Sequence, residues 1–186
     1  PTSGARHTVP TPLPPARMEH MDLRTEQRYD ADPPTVFAMF TDEAFLSRKA
    51  QATNALRHEG SVVRDGDRVT VRLLRVMPPD VPDLVRGFVG DTIDLEQTDV
   101  WEPASSDGSR TGSIRITMGG LPVQLTGGMR LAPAGTGSQA TVDAQIKAAI
   151  PLFGGKIEQA VHDALLQAVR IEESVGQAWL DGQRGT

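Results

Sequence analysis

Four polar side chains stand in otherwise apolar alternations, and they are the residues best placed to do chemistry. His58 alternates with Leu56, Gly60 and Val62. Gln97 and Asp99 alternate with Leu95 and Trp101. Tyr29, with Gln27, alternates with Leu23. Residues two apart on a strand share a face, so in one curved sheet Tyr29, His58, Gln97 and Asp99 would converge on the concave side. A few polar groups in an apolar pocket orient a ligand or move a proton. The same groups can also bond to one another or to buried water. None is singled out as catalytic.

Other chemistries are disfavoured by residue type and spacing. There is no cysteine, so disulfides, thiolate zinc sites and cysteine nucleophiles are excluded. Gly154-Gly155-Lys156 resembles a phosphate loop, but that pattern needs Gly at 150 and Ser or Thr at 157, where this chain has Ile150 and Ile157. Of the histidines, only His58 and His162 lie beyond the leader. His162 falls one turn from Glu158, which reads as a surface pair. No Gly-x-Ser-x-Gly occurs. No metal or cofactor is expected. Nineteen Lys and Arg against 24 Asp and Glu leave a formal charge of −5, which argues against nucleic acid as a partner.

The elements that would position these residues follow from periodicity. Residues 23–29 alternate as a strand with one wet face. Asp32 with Pro33 and Pro34 starts a short helix, and Thr41-Asp42-Glu43 starts a second. In that second helix Phe45 and Leu46 point inward and Lys49 outward. Six strand signals follow in series. Arg64-Asp65-Gly66-Asp67 forms the first hairpin turn, and the last strand, with Ala140, Val142, Ala144, Ile146 and Ala148, is the clearest. A helix over about 155–180 closes the chain. Its stripe is Ile157, Val161, Ala164, Leu165, Ala168, Val169, Glu172, Val175 and Trp179, with Glu158 pointing away. The expected fold class is α+β: a seven-stranded curved antiparallel sheet, two short helices after the first strand, and a long C-terminal helix packed across the sheet.

That order resembles the helix-grip fold of the START-like or SRPBCC superfamily. Met21-Asp22-Leu23-Arg24-Thr25-Glu26-Gln27-Arg28-Tyr29, with Ala31-Asp32-Pro33-Pro34-Thr35-Val36-Phe37, is similar to its first strand running into its first helix. Ile150-Pro151-Leu152-Phe153-Gly154-Gly155-Lys156-Ile157-Glu158 is similar to its approach to the closing helix. Met77-Pro78-Pro79-Asp80-Val81-Pro82 is similar to an uncharacterised branch. The resemblance implies a deep apolar pocket between sheet and helix, holding a lipid or another hydrophobic small molecule. It carries over no catalytic signature of the cyclases.

Small residues on both facing surfaces (Gly60, Gly127, Ala140, Ala144 and Ala148 on the sheet; Ala160, Ala164 and Ala168 on the helix) leave either a cavity or close packing. With aromatic residues at only 4%, few rings are available to fill it. The expected apolar and gate residues are Val71, Leu84, Phe88, Leu95, Ile116, Met118, Met129, Leu152, Phe153 and Leu165. The hydrophobic connection over 77–90 reads as a flap over the pocket mouth, or as packing on the outer sheet, or as a dimer contact. The expected function is binding or transport of a lipid, isoprenoid or polyketide-like molecule. The alternatives are a cyclase- or hydratase-like enzyme in the same cavity and a protein-interaction module without ligand.

The ends read separately. Residues 1–21 are Pro-rich and form a disordered leader, either a cloning remnant with Met21 as the native start or a natural arm. Residues 22–181 form one domain, and 182–186 a polar tail. No apolar stretch approaches a membrane span of about 20 residues, so stable membrane insertion is not expected. With no targeting signal in view, the expected location is cytoplasmic.

Overall fold

The computed structural model describes residues 20–79, 86–87 and 90–184. Strand β1 (Met21–Tyr29) leads into helices α1 (Pro33–Phe40) and α2 (Glu43–Ala52). Six strands follow: β2 (Arg57–Asp65), β3 (Arg68–Met77), β4 (Ile93–Trp101), β5 (Arg110–Met118), β6 (Val123–Ala134) and β7 (Gly137–Ala148). Helix α3 (Gly154–Arg184) ends the chain. The strands form one antiparallel sheet in the order β1-β7-β6-β5-β4-β3-β2. Six strands thus follow one another as a meander, and β1 closes onto the far edge, with Met21 opposite Ile146 and Tyr29 opposite Ser138.

Local chemistry sets the element boundaries. Asp32 caps α1 by accepting a hydrogen bond from Thr35 N at 3.0 Å, with Pro33 in the first turn. Asp42 caps α2, accepting from Ala44 N at 2.8 Å and Phe45 N at 3.2 Å. Gly66, at φ 57°, supplies the left-handed turn between β2 and β3. Helix α3 has 31 residues, about 45 Å of helix at the standard rise, and runs one turn past the boundary expected from the apolar stripe. Glu158 does not point away from the core as its spacing suggested. It is buried, and its carboxylate accepts a hydrogen bond from Ala148 N at 2.9 Å, tying the start of α3 to the end of β7.

Two packed regions flank the centre. Near α1 and α2, Tyr29, Phe37, Phe45, Leu46, Trp101 and Leu180 belong to one buried cluster. Most of the chain's few rings gather here. Phe37 meets Trp101 edge-on at 5.9 Å, Tyr29 meets Phe40 at 5.6 Å and Phe45 meets Trp179 at 5.6 Å. Toward the start of α3, Leu23, Ile116, Leu125, Ala144 and Ile146 form an aliphatic cluster against Val161 and Leu165. The aromatic plug therefore fills one end of the grip and leaves the middle to small and aliphatic side chains.

Tyr29 is seated by a glycine. A methyl group on Gly176 would lie 2.6 Å from Tyr29 Cε1 and 3.1 Å from Met39 Cε. Both neighbours are buried in the aromatic cluster and have little room to move. Gly176→Ala should therefore destabilise the protein by about 1–3 kcal/mol in a urea denaturation curve, despite alanine's better helix propensity. Unchanged or increased stability would contradict this packing.

Candidate functional site

Helix α3 packs chiefly on β1, β7 and α2, and a cavity of about 390 Å³ lies between it and the concave face of the sheet. The volume falls within the range of small-molecule sites. Its apolar wall includes Leu23, Leu95, Ile114, Ile116, Met118 and Met129 from the sheet. Ala160, Ala164, Leu165 and Ala168 face them from the helix. Alanine at three successive helical turns keeps this space open. Ala140 contributes on the sheet side. The other small residues are used for close packing: a methyl on Gly60 would sit 3.1 Å from Leu46, and one on Gly127 would sit 2.5 Å from Ala144 Cβ.

One part of the wall is polar and charged. Arg75, which is 5% exposed, extends from β3 and donates from Nη2 to Gln97 Oε1 at 3.1 Å. Gln97 Nε2 in turn donates to both oxygens of Asp99, at 3.1 and 2.9 Å. From α3, Glu172 places one carboxylate oxygen 3.7 Å from Arg75 Nη1 and the other 3.4 Å from Lys49 Nζ on α2. Strand, helix and helix thus meet through two cations and two carboxylates, all four on the cavity wall. Burying such charges is costly unless they are paired, and each here has a partner of opposite charge or a hydrogen bond. Gln27 Nε2 donates to Val169 O at 3.1 Å, a further link from β1 to α3.

Electrostatics single out Asp99. Its carboxyl is surrounded by protein, with part of its surface facing the cavity. Loss of hydration pushes its pKa up from 3.8 to about 6. Lys49 and the Gln97 hydrogen bond oppose the rise, Glu172 adds to it, and Arg75 opposes it. Tyr29 is also pushed upward, first by burial and then by Glu172 and Glu173, so its phenol stays protonated.

The expected site residues divide clearly. Tyr29, Gln97 and Asp99 share the cavity wall, as do Leu95, Ile116, Met118, Met129 and Leu165. His58 does not join them. Helix α2 covers the inner face of β2, and the His58 ring bonds Ser47 Oγ at 2.8 Å. Val71 is buried in the aromatic cluster and does not line the cavity. Leu152 is 96% exposed on the turn before α3. Phe153 packs on Val123, Ala148 and Ile157 at the end of the sheet. Leu84 and Phe88 lie outside the described residues, as does most of the expected flap. His162 contacts Asp163 at 3.2 Å rather than pairing with Glu158.

Three charged residues went unrecognised. Arg75 continues the Val69-Val71-Leu73 alternation, so a period of two would have placed it inward. Glu172 already lay on the apolar stripe of α3. Lys49 is the real reversal: expected outward, its side chain is 12% exposed and turned toward Glu172. No local periodicity signals that partner, which lies on another element.

An α+β sheet closed by one long helix over a cavity is the helix-grip architecture, and solved structures share it. Human STARD10 matches 92% of this chain and 69% of its own at 8% identity, with a TM-score of 0.60. The Zhui aromatase/cyclase of Streptomyces sp. R1128 matches 85% of this chain and 94% of its own at 11% identity, with a TM-score of 0.54. At such identities the likeness is one of fold. Residues 24–180 match the family described as "Protein of unknown function (DUF2505)", and the chain belongs to that family. "Uncharacterized protein Rv0481c" of Mycobacterium tuberculosis is 30% identical over 128 residues, covering 68% of this chain and 73% of that one. Among the described residues, no helix is long and apolar enough to cross a membrane.

The raised Asp99 pKa has a consequence for stability. Between 3.8 and about 6 the folded state binds more protons at this site than the unfolded state does. Stability contributed by Asp99 is therefore present at low pH and lost as pH rises through that window. Asp99→Asn keeps an acceptor for Gln97 and removes the titration. The variant should gain stability relative to wild type as pH rises from about 4 to about 7, measured by urea denaturation at each pH. A constant difference across that range would contradict the assignment.

Proposed function

We propose that this protein binds a hydrophobic small molecule of the lipid, isoprenoid or polyketide class between its sheet and α3. The observation that carries this reading is the cavity of about 390 Å³ with a largely apolar wall, aliphatic along α3 and aromatic at Phe40, Phe45 and Trp101, and one buried polar cluster. The ligand's apolar body lies along Leu95, Ile116, Met118, Ala164 and Ala168, and its polar end meets Tyr29, Arg75, Gln97 and Asp99. Affinity comes mainly from apolar surface removed from water, roughly 25 cal/mol per Å² before ordering costs. That an aromatase/cyclase shares the fold is consistent with the choice of ligand class.

A second reading, proton transfer in the same cavity, is favoured by Asp99. A carboxyl with a pKa of about 6 is poised to accept or release a proton near neutrality. With a ketone in the cavity, Asp99 would take a proton from the carbon beside the carbonyl while the electron pair moves onto the carbonyl oxygen. Deuterium exchange into a bound methyl ketone, followed by proton NMR, tests this. Wild type should exchange and Asp99→Asn should not. No exchange by wild type above the buffer rate would remove the catalytic reading and leave binding untouched.

Filling the cavity tests the binding reading. Ala168→Phe places a ring in the space facing the sheet and should weaken binding of the neutral dye Nile red at least ten-fold, while far-ultraviolet circular dichroism stays unchanged. Equal dye affinity in wild type and variant would place the dye elsewhere and contradict the reading.

A further inference from the structure

Hydrogen-bond direction along the polar wall is fixed from one end. An arginine side chain donates and cannot accept. Arg75 Nη2 therefore takes the Gln97 oxygen, at 3.1 Å, which turns the Gln97 amide nitrogen toward Asp99. An ionised carboxylate only accepts, and both Asp99 oxygens receive that one nitrogen, at 3.1 and 2.9 Å. The relay runs from Arg75 through Gln97 to Asp99 and stops there. Among the described residues, Gln97 is the only donor to this carboxylate, and the neighbouring cations Lys49 and Arg75 are turned to Glu172. A carboxylate offers about four acceptor sites, so roughly half of this one's capacity is unspent.

That capacity opens on the cavity. The Asp99 backbone is held between two strands, with Val71 on one side and Ile114 on the other, so its accessible surface belongs to the side chain. Asp99 sits deep in the protein on the concave face, yet it is only half-buried and lines the cavity wall. Surface that is both deep and accessible is cavity surface. Asp99 differs in this from Arg75 and Gln97, which are sealed behind it at 5% and 7% exposure.

The charge of the group that meets Asp99 is constrained as well. Among the described residues, the charged side chains on the cavity wall are Lys49, Arg75, Asp99 and Glu172, so two cations balance two carboxylates. An ammonium would add a cation without a counter-charge to a poorly hydrated space, and a carboxylate would be repelled by Asp99. The oxygen of an ether or ester would set lone pair against lone pair. A hydroxyl supplies a proton to share without changing the charge.

Taking the cavity as the ligand site, we infer that Asp99 docks the polar end of the ligand and that this end is an uncharged hydrogen-bond donor, the hydroxyl of an alcohol or phenol.

The test compares two isomers, decan-1-ol and methyl nonyl ether, which differ in whether the oxygen carries a hydrogen. Each displaces Nile red from the wild-type protein at about pH 8, where Asp99 is ionised and decylamine, a third ligand, is an ammonium. The alcohol should bind at least about ten-fold more tightly than the ether, as expected for a hydrogen bond to a charged group, and more tightly than decylamine. Asp99→Asn keeps an oxygen for Gln97 and presents an amide donor to the cavity, so there the alcohol should fall to the affinity of the ether. Equal affinity of the two isomers for wild type would overturn the inference. So would an undiminished preference for the alcohol in Asp99→Asn, because the acceptor would then lie elsewhere. Tightest binding by decylamine would overturn the uncharged-donor assignment. Should the variant not fold, the wild-type comparison still decides. If neither Nile red nor any of the three binds, the cavity reading itself fails and the anchor falls with it; if the ether binds as well as the alcohol, only the anchor fails.

Discussion

One helix has to cover the concave face of seven strands, and it touches that face closely only along part of it. Helix α3 rests on β1 and β7 and is braced by α2. Glu158 ties its first turn to the end of β7, and Gly176 lets the Tyr29 ring settle against its far half. Between these supports, alanine at 160, 164 and 168 faces the sheet. Such short side chains cannot reach across, and the rings that might have bridged the gap are gathered around α1. The cavity follows from that distribution of side-chain size.

The polar cluster is part of the same construction. Glu172 reaches from α3 to Lys49 on α2 and Arg75 on β3, so the helix is held across the open region by charges rather than by packing. Removing one member would leave the others buried and uncompensated, which is usually strongly destabilising. The groups that would orient a ligand therefore also hold the grip together. Their geometry is set before any ligand arrives, which lowers the ordering cost of binding.

The fold was legible because its signals are local and repeated. Alternation marks each strand, Asp-Pro and Thr-Asp mark the helix starts, and a long Ala-rich stripe marks the closing helix. The site was legible only where alternation alone decides orientation. Gln97, Asp99 and Tyr29 face the cavity because their strands lie over it. His58 obeys the same alternation yet meets Ser47, because β2 lies under α2 and not under α3. The difference is one of tertiary placement, which a period of two does not encode. Lys49 shows the converse: a lysine on a helix beside arginine and glutamine has every local reason to face water, and only Glu172 on a distant element turns it inward. Arg75 was readable, since it continues an apolar alternation, and an arginine in such a position signals a buried partner.

The central claim is that the space under α3 is completed by a hydrophobic guest. Native mass spectrometry of protein purified without detergent or organic solvent tests it most directly. The account predicts a population heavier than the bare polypeptide by one small-molecule mass, released into organic solvent as an apolar compound and restored when that compound is added back. A bare polypeptide mass that stays unchanged after exposure to a broad lipid extract would contradict it.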